Sequence, residues 1–373
     1  MHINHFEAES KLYDLLQFPR LLFIKKTTNS SEGYQYTNLD LETLNDSEYV
    51  DFMTQAQQQL SPISDELNAY YANEFMSDYD FFNVLTKVYS ISGYADIELY
   101  VDNLINKDPH DLKKHLIASL ILIESDDTTD AIKQAQEKAD HMLLDHAAYL
   151  RFMKDLSTEE TYKWRLMMIV DDPIEALRTY KLLMKKILPI YEVFYQQHQA
   201  LMKQVIENIL PILKQEDSSA INRLTHHMID PSIFPNEKTK LLVSFVFPYA
   251  FMLKSDLENK YIVWGLKMEE GFKKISENYQ SELEQRTQIF KNLGDATRYE
   301  VLKLIANGIT STKDIAQRLD VSSATISYHI NALVTSHLIV LTHTKGKKYG
   351  VDLKRLNQTF NTCINDLDIQ FKK

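Results

Sequence analysis

The chain has 373 residues, 44% of them hydrophobic, with 8 Gly, 9 Pro, one Cys and a formal net charge of −11. That length predicts more than one folded unit, and the scarcity of glycine and proline predicts long helices with few tight turns. A single thiol excludes an internal disulfide, the N-terminus lacks the basic-then-apolar pattern of a secretory signal, and no window nears the roughly 18 uninterrupted apolar residues of a membrane span, so a cytoplasmic protein with no membrane partner is expected.

In chain order, residues 1–27 read as a helix with Phe6, Leu12, Leu15 and Leu16 on one face, followed by the apolar run Leu21–Ile24. Thr27–Asp40 reads as a loop, and residues 40 to 232 as mainly helical. The clearest helical series is Pro173–Gln215, which Pro189 and Pro211 are expected to break or kink. Asp230–Asn236, with two prolines, reads as another loop. The period then changes: Lys240–Leu253 and Tyr261–Met268, rich in β-branched and aromatic residues, predict a β-hairpin around Lys254–Lys260. Glu270–Phe290 returns to helix, with Phe272, Ile275, Tyr279 and Leu283 in register, and is expected to join the large N-terminal part to a C-terminal module.

The overall negative charge conceals a segregation. Residues 286–358 hold 11 of the 41 basic residues and 5 of the 52 acidic ones, a net of +6, which leaves 30 basic and 47 acidic residues elsewhere, a net of −17. A basic module on an acidic body is the charge pattern of a nucleic-acid reader with a separate second domain. Within the module, Gly294 is placed to end one helix in a left-handed conformation and Asp295 to cap the next, which buries Val301, Leu302 and Ile305 and stops near Gly308. Ser311-Thr312-Lys313-Asp314 is a capping pattern that opens a short helix with Ile315, Ala316 and Leu319 inward. Asp320-Val321-Ser322 makes a three-residue turn, and Ser322 or Ser323 caps a second helix that buries Ile326, Ile330, Leu333 and Val334. Two short helices joined by such a turn define a helix-turn-helix. The second helix turns Ala324, Tyr328, Asn331 and Thr335 the other way, flanked by Ser323, Thr325 and Ser327. That face has no acid to repel the phosphate walls of a major groove. Leu338–Thr342 and Lys348–Val351 then read as two strands around the basic turn Thr344–Lys347, a β-wing whose Lys345, Lys347 and Lys348 can neutralise phosphates.

The runs FKNLGDATRYEVLKLI, DIAQRLDVSSATISYHINAL, HLIV and KGKKYGV together resemble the ArsR family of winged-helix repressors, over about a fifth of the chain. The matching points are Leu293-Gly294-Asp295-x-Thr297-Arg298, Ser327-x-His329 and the basic wing. The resemblance implies repression by binding of a homodimer to double-stranded DNA, with Thr312, Ser322 and His329 joining Ser323, Thr325, Ser327, Tyr328, Asn331 and the wing lysines at the interface. Two departures stand out. His337 occupies the turn before the first wing strand, where the family usually has glycine, and a histidine can accept positive φ at some cost. The Cys-x-Cys or Asp/His sets of the metal-responsive members are replaced by Ser311-Thr312-Lys313-Asp314 and by Asp366 and Asp368 without a histidine, so no metal site and no cofactor is expected.

Elsewhere, His141 with Asp145 and His146 reads as a solvated polar face, the adjacent His226 and His227 point too far apart to share an ion, and the aromatics from Tyr70 to Tyr89 read as core. Cys363 falls on the seam Leu353, Leu356, Phe360, Cys363, Leu367, whose heptad-like spacing predicts a dimer helix. The expected protein is therefore mostly α with minor β. It comprises a helical sensor or assembly domain over 1–269 with a small hairpin, a linker helix over 270–286, a winged helix-turn-helix over 287–352 and a dimerisation helix over 353–373. The N-terminal domain is expected to sense an unknown ligand or to set assembly. The alternative, from another class, is an enzyme or ligand-binding protein that uses the winged helix as a protein-interaction appendage.

Overall fold

The computed structural model describes residues 3–24, 46–71, 79–123, 129–215, 217–231, 234, 239–255, 259–277, 282–342 and 348–367. The expected loop Thr27–Asp40 and the wing residues Lys345 and Lys347 lie outside them. The fold is mostly helical with a small sheet, as the composition implies. No helix among the described residues is long and apolar enough to cross a membrane.

The helix expected near the N-terminus is present, preceded by a short strand. The chain opens on strand β1 (Ile3–His5), continues as helix α1 (Glu7–Gln17) and closes in a 3-10 turn over Phe18–Phe23. The helices that follow are α2 (Ser47–Leu60), α3 (Ser64–Leu67), α4 (Phe81–Thr86), α5 (Ile97–Ile105), α6 (Pro109–Ile123), α7 (Thr129–Leu144), α8 (His146–Asp155) and α9 (Glu160–Asp171). Their spine is α10 (Pro173–Lys214), a single helix of 42 residues that contains both Pro189 and Pro211. Of the expected break or kink, the helix shows no break at either proline. Both prolines sit on the exposed face, while Leu183, Ile187, Tyr191 and Phe194 bury the opposite one, so packing offsets the missing N–H donors. After α11 (Ser218–Thr225) come β2 (Thr239–Ser244), β3 (Phe251–Ser255) and β4 (Lys260–Gly265), then α12 (Met268–Glu277).

The expected hairpin is half right. β3 and β4 pair antiparallel, with Phe251 opposite Trp264, but Lys240–Leu253 is not one strand. Its first half, β2, runs parallel to β4 and places Val243 beside Trp264; β1 pairs parallel to β2 on the other side, giving the order β1-β2-β4-β3. Between β2 and β3 the segment 245–250 folds as a buried turn across the end of β4. Gly265 permits this: a Cβ there would lie 2.3 Å from the Pro248 carbonyl oxygen, and its amide donates to Ala250 O at 2.7 Å. Asp14 of α1 anchors the same turn, fully buried, accepting from Ser244 Oγ at 2.5 Å and Phe245 N at 2.8 Å. Two buried ion pairs complete this end of the molecule, Arg20 with Asp80 at 2.6 Å and Lys240 with Glu9 at 2.8 Å.

A second, separate core gathers Ile289, Val301, Leu302, Ile305, Ile315, Ile326, Ile330, Leu333 and Leu338. It belongs to α13 (Glu282–Leu293), α14 (Ala296–Ala306), α15 (Thr312–Leu319), α16 (Ser323–Thr335), β5 (Ile339–Leu341), β6 (Tyr349–Val351) and α17 (Leu353–Asp366). Leu341 packs against both cores.

Candidate nucleic-acid interface

The helix-turn-helix is built by three caps in succession. Asp295 accepts from Arg298 N at 2.8 Å and starts α14. Ser311 accepts from Asp314 N at 3.3 Å and starts α15, and Ser322 accepts from Thr325 N at 3.0 Å and starts α16. Each satisfies an orphan N–H of a helix N-terminus, a contribution of about 1 kcal/mol apiece. The reversals between helices need positive φ, supplied by Gly308 (88°) after α14, Asp320 (54°) in the turn and His337 (57°) after α16. Gly294, expected to take such a conformation, does not; its amide simply closes α13 by donating to Phe290 O. His337 does adopt it. Its ring is pushed down to about 4, by burial first and by Arg355 second, and is therefore neutral at neutral pH.

The face of α16 opposite its buried Ile326, Ile330, Leu333 and Val334 presents Ser323 and Ala324, both exposed, Ser327 and Asn331, half-buried, and Tyr328, 40% exposed. Ser322 and Thr325 are also at the surface, and their hydroxyls bond each other at 2.8 Å, so the two serve the cap first. His329 does not belong with this set. It is 8% exposed, its Nδ1 has no partner, and burial lowers its pKa, so it offers little surface to a groove. At the start of α15, Thr312 is half-buried. On the wing, Lys348 is exposed, its backbone amide is fixed by Thr310 Oγ1 at 3.0 Å, and its ammonium lies over the Tyr349 ring.

Sequence reasoning missed the brace behind Tyr328. Arg298 on α14 donates to Asn292 Oδ1 at 2.5 Å and to Tyr328 Oη at 3.4 Å, and its guanidinium carbon lies 5.6 Å from the Tyr328 ring centroid. Asn292 is fully buried and is itself held, donating to Gln288 O at 3.0 Å. Arg298 stood in the quoted motif without a role; its spacing of thirty residues from Tyr328 carries no local signal. The residues expected to form a dimer seam divide: Leu353, Phe360 and Leu367 are 66%, 43% and 65% exposed, Leu356 packs on the second core, and Cys363 is half-buried. Phe360 stands edge-on to Phe290 of α13 at 5.8 Å.

The other constellations resolve into structure. Asp145 caps α8 through Ala147 N and Ala148 N, which accounts for its proximity to His141 and His146. Among the described residues, Asp108, His110 and Asp111 could come together on an ion, but all three are exposed and Asp108 already caps α6. A cleft of about 670 Å³ opens between α2, α10 and α12; its Lys267 is bonded to Asp46 and Glu48, and no histidine or cysteine lines it.

A family described as helix-turn-helix domain matches residues 293–342. The transcriptional repressor SdpR of Bacillus subtilis (strain 168) is 30% identical over 79 residues, which is 21% of this chain and 87% of that protein. No solved structure matches. Through its C-terminal part, the chain belongs to the helix-turn-helix domain family.

Proposed function

We propose that the protein is a DNA-binding transcription regulator, a repressor of the ArsR type that acts as a homodimer on a two-fold operator. The observation that carries this reading is the acid-free outer face of α16, with Ser323, Ser327, Tyr328 and Asn331 presented together and Tyr328 braced by Arg298. A helix of that kind beside a basic wing is built to enter a major groove while lysines hold the flanking phosphates. The likeness to a named transcriptional repressor, over most of that protein's length, supports the same reading. The exposed residues Leu353 and Phe360 of α17 and Leu367 at its C-cap recur every seven positions, and a second copy is the natural cover for them. In this proposal residues 287–352 read DNA, 353–373 pair the protomers, 270–286 link, and 1–269 sense a ligand or set assembly. Such a protein acts where the DNA is, in the cytoplasm.

The test is capture of fragmented genomic DNA on the full-length protein at two salt concentrations, followed by sequencing. At the higher salt, where the sequence-independent phosphate contribution is weakened, retained fragments should share one two-fold motif. Retention of fragments without a common motif at both concentrations, or no retention, refutes sequence-specific regulation.

A further inference from the structure

The N-terminal part touches the helix-turn-helix at the place where an HTH meets the phosphate backbone. Lys313 lies in the first turn of α15, the helix that crosses the backbone when its partner helix enters the groove. Its ammonium donates to Tyr79 Oη at 3.1 Å and sits 5.1 Å from the centre of the Tyr79 ring. Tyr79 is no loose side chain: it is buried in the N-terminal core, and its hydroxyl also accepts from Ser157 N at 3.3 Å. A phosphate cannot take the inner side of Lys313 while this ring is in place, and the ring cannot leave without the packed core that holds it.

A second contact fastens the wing. Ile229 forms a parallel bridge with Leu341 on β5, and Asp230 N donates to Leu341 O at 3.3 Å. The N-terminal part thus extends the edge of the two-stranded wing sheet, and Leu341 joins the two cores. Charge acts in the same direction. The docked body carries −17 and the module +6, so the body shields the basic surface and repels a polyanion that approaches it.

From these contacts we infer that the N-terminal part is a built-in competitor for DNA: docked through Tyr79 on Lys313 and through Ile229–Asp230 on Leu341, it withholds the phosphate-binding start of α15, and DNA binding requires it to lift away. The seam has the strength such a device needs. Among the described residues it includes one cation–π and hydrogen-bond contact, one short bridge and the apolar packing of Leu341. Each is weak, but the shared chain holds them at high local concentration, and several phosphates acting together can displace them. The face of α16 stays exposed while docked, so undocking is required of α15 and the wing alone. A ligand that alters the packing around Tyr79 would shift this equilibrium only by its differential affinity for the docked and lifted states.

This inference rests on the DNA-binding reading, and its test separates the two. The full-length chain carries Ile229→Cys and Leu341→Cys in a Cys363→Ser background. Bridged neighbours lie about 4.8 Å apart, within the range a disulfide spans. Binding to a random-sequence duplex of about 30 base pairs at low salt is followed by anisotropy, because phosphate binding needs no operator. The oxidised protein should bind at least about tenfold more weakly than the same protein reduced, and reduction should restore binding. A conservative second variant, Tyr79→Phe, keeps the core ring and removes the hydroxyl; it should bind about threefold to tenfold more tightly than the parent, the worth of one polar contact. Equal affinity of oxidised and reduced protein, with Tyr79→Phe no tighter than the parent, overturns the inference and leaves DNA binding intact. If parent, reduced pair and Tyr79→Phe all ignore the duplex, it is the DNA-binding reading itself that fails.

Discussion

Arg298→Lys is the most informative single change in the interface. The arginine fork serves two acceptors at once, Asn292 Oδ1 at 2.5 Å and Tyr328 Oη at 3.4 Å, and covers the Tyr328 ring. A lysine is a point charge and cannot hold both. The bond to Asn292 is the strong term, because Asn292 is fully buried and would keep an unmet acceptor, a cost of about 1–3 kcal/mol. The contact with Tyr328 is the weak term: that ring is 40% exposed and the bond is long, so about 0.5 kcal/mol is expected from it. The variant should lose about 1–2 kcal/mol in urea denaturation, since lysine recovers part of the Asn292 contact. On DNA the weak term matters more, because it fixes the orientation of Tyr328. Loss of that brace should cost about twofold to threefold on a cognate site, with the slope of log affinity against log salt unchanged. The assay is a titration of parent, Arg298→Lys, Tyr328→Ala and the double variant on cognate and scrambled duplexes at several salt concentrations. Strictly additive losses, or a salt slope lower by about 0.9 per protomer, would refute the brace; the second result would make Arg298 a phosphate contact instead.

The remaining predictions follow from the same geometry. Lys348→Ala should weaken cognate and scrambled duplexes alike and lower the salt slope by about 0.9 per copy, measured in the same titrations; an effect confined to the cognate site would contradict its placement as a phosphate contact. Phe360→Asp should shift the protein toward monomer in sedimentation at micromolar concentration and weaken operator binding, while an unchanged sedimentation profile would remove α17 from the dimer seam. Burial pushes Asp14 up to about 7 against the pull of Ser244 and two backbone amides. The folded protein therefore keeps a proton that the unfolded chain releases near pH 4, so this group's contribution to stability falls as pH rises from about 4 to about 7, by at most about 1.4 kcal/mol per pH unit, and is flat above. Asp14→Asn should lack that slope in denaturant titrations across the window, and parallel curves for the two proteins would show Asp14 to be ionised throughout. Dialysis against a chelator should leave operator binding in a gel-shift assay unchanged, and either loss or gain of binding would reveal a metal that the residues at the family's sensor positions do not suggest.

The C-terminal module was legible because its determinants are local. The caps at Asp295, Ser311 and Ser322 lie within three residues of the amides they satisfy, and the buried sets Ile326, Ile330, Leu333, Val334 and Val301, Leu302, Ile305 follow the helical period. Even the substitution of His337 for glycine could be read as a positive-φ turn. His329 escaped because a motif placed it while the period did not: it sits one residue before Ile330, on the buried side. The N-terminal sheet was illegible for the opposite reason. β1 has three residues, too few to show a period, and its partner lies more than two hundred residues away; β2 and β4 are buried on both faces and so read as continuous apolar runs rather than alternating ones. Pro189 and Pro211 do not end the helix, because a local rule about donors says nothing of which face turns to solvent.

The least local features bear most directly on how the protein would be controlled. An isolated winged helix has no reason to regulate itself: its caps, its core and its outer face are complete within about ninety residues. In the inference drawn above, control of its DNA binding comes through the seam with the N-terminal part, where residues far apart in sequence meet, Tyr79 with Lys313 and Ile229 with Leu341. Both cores hold buried polar groups. The small one has the Asn292–Arg298 chain that supports Tyr328 and, without partners, His329 Nδ1 and Arg298 Nε. The large one carries buried ions and buried polar atoms without partners, among them Tyr13 Oη, Gln17 Nε2 and Trp264 Nε1. Unmet buried groups cost stability, and they make small changes in packing energetically significant. A body of that kind, resting on a DNA reader through contacts such as Tyr79–Lys313 and Ile229–Leu341, is suited, in the inference drawn above, to let a modest change inside it decide whether α15 is free to meet a phosphate.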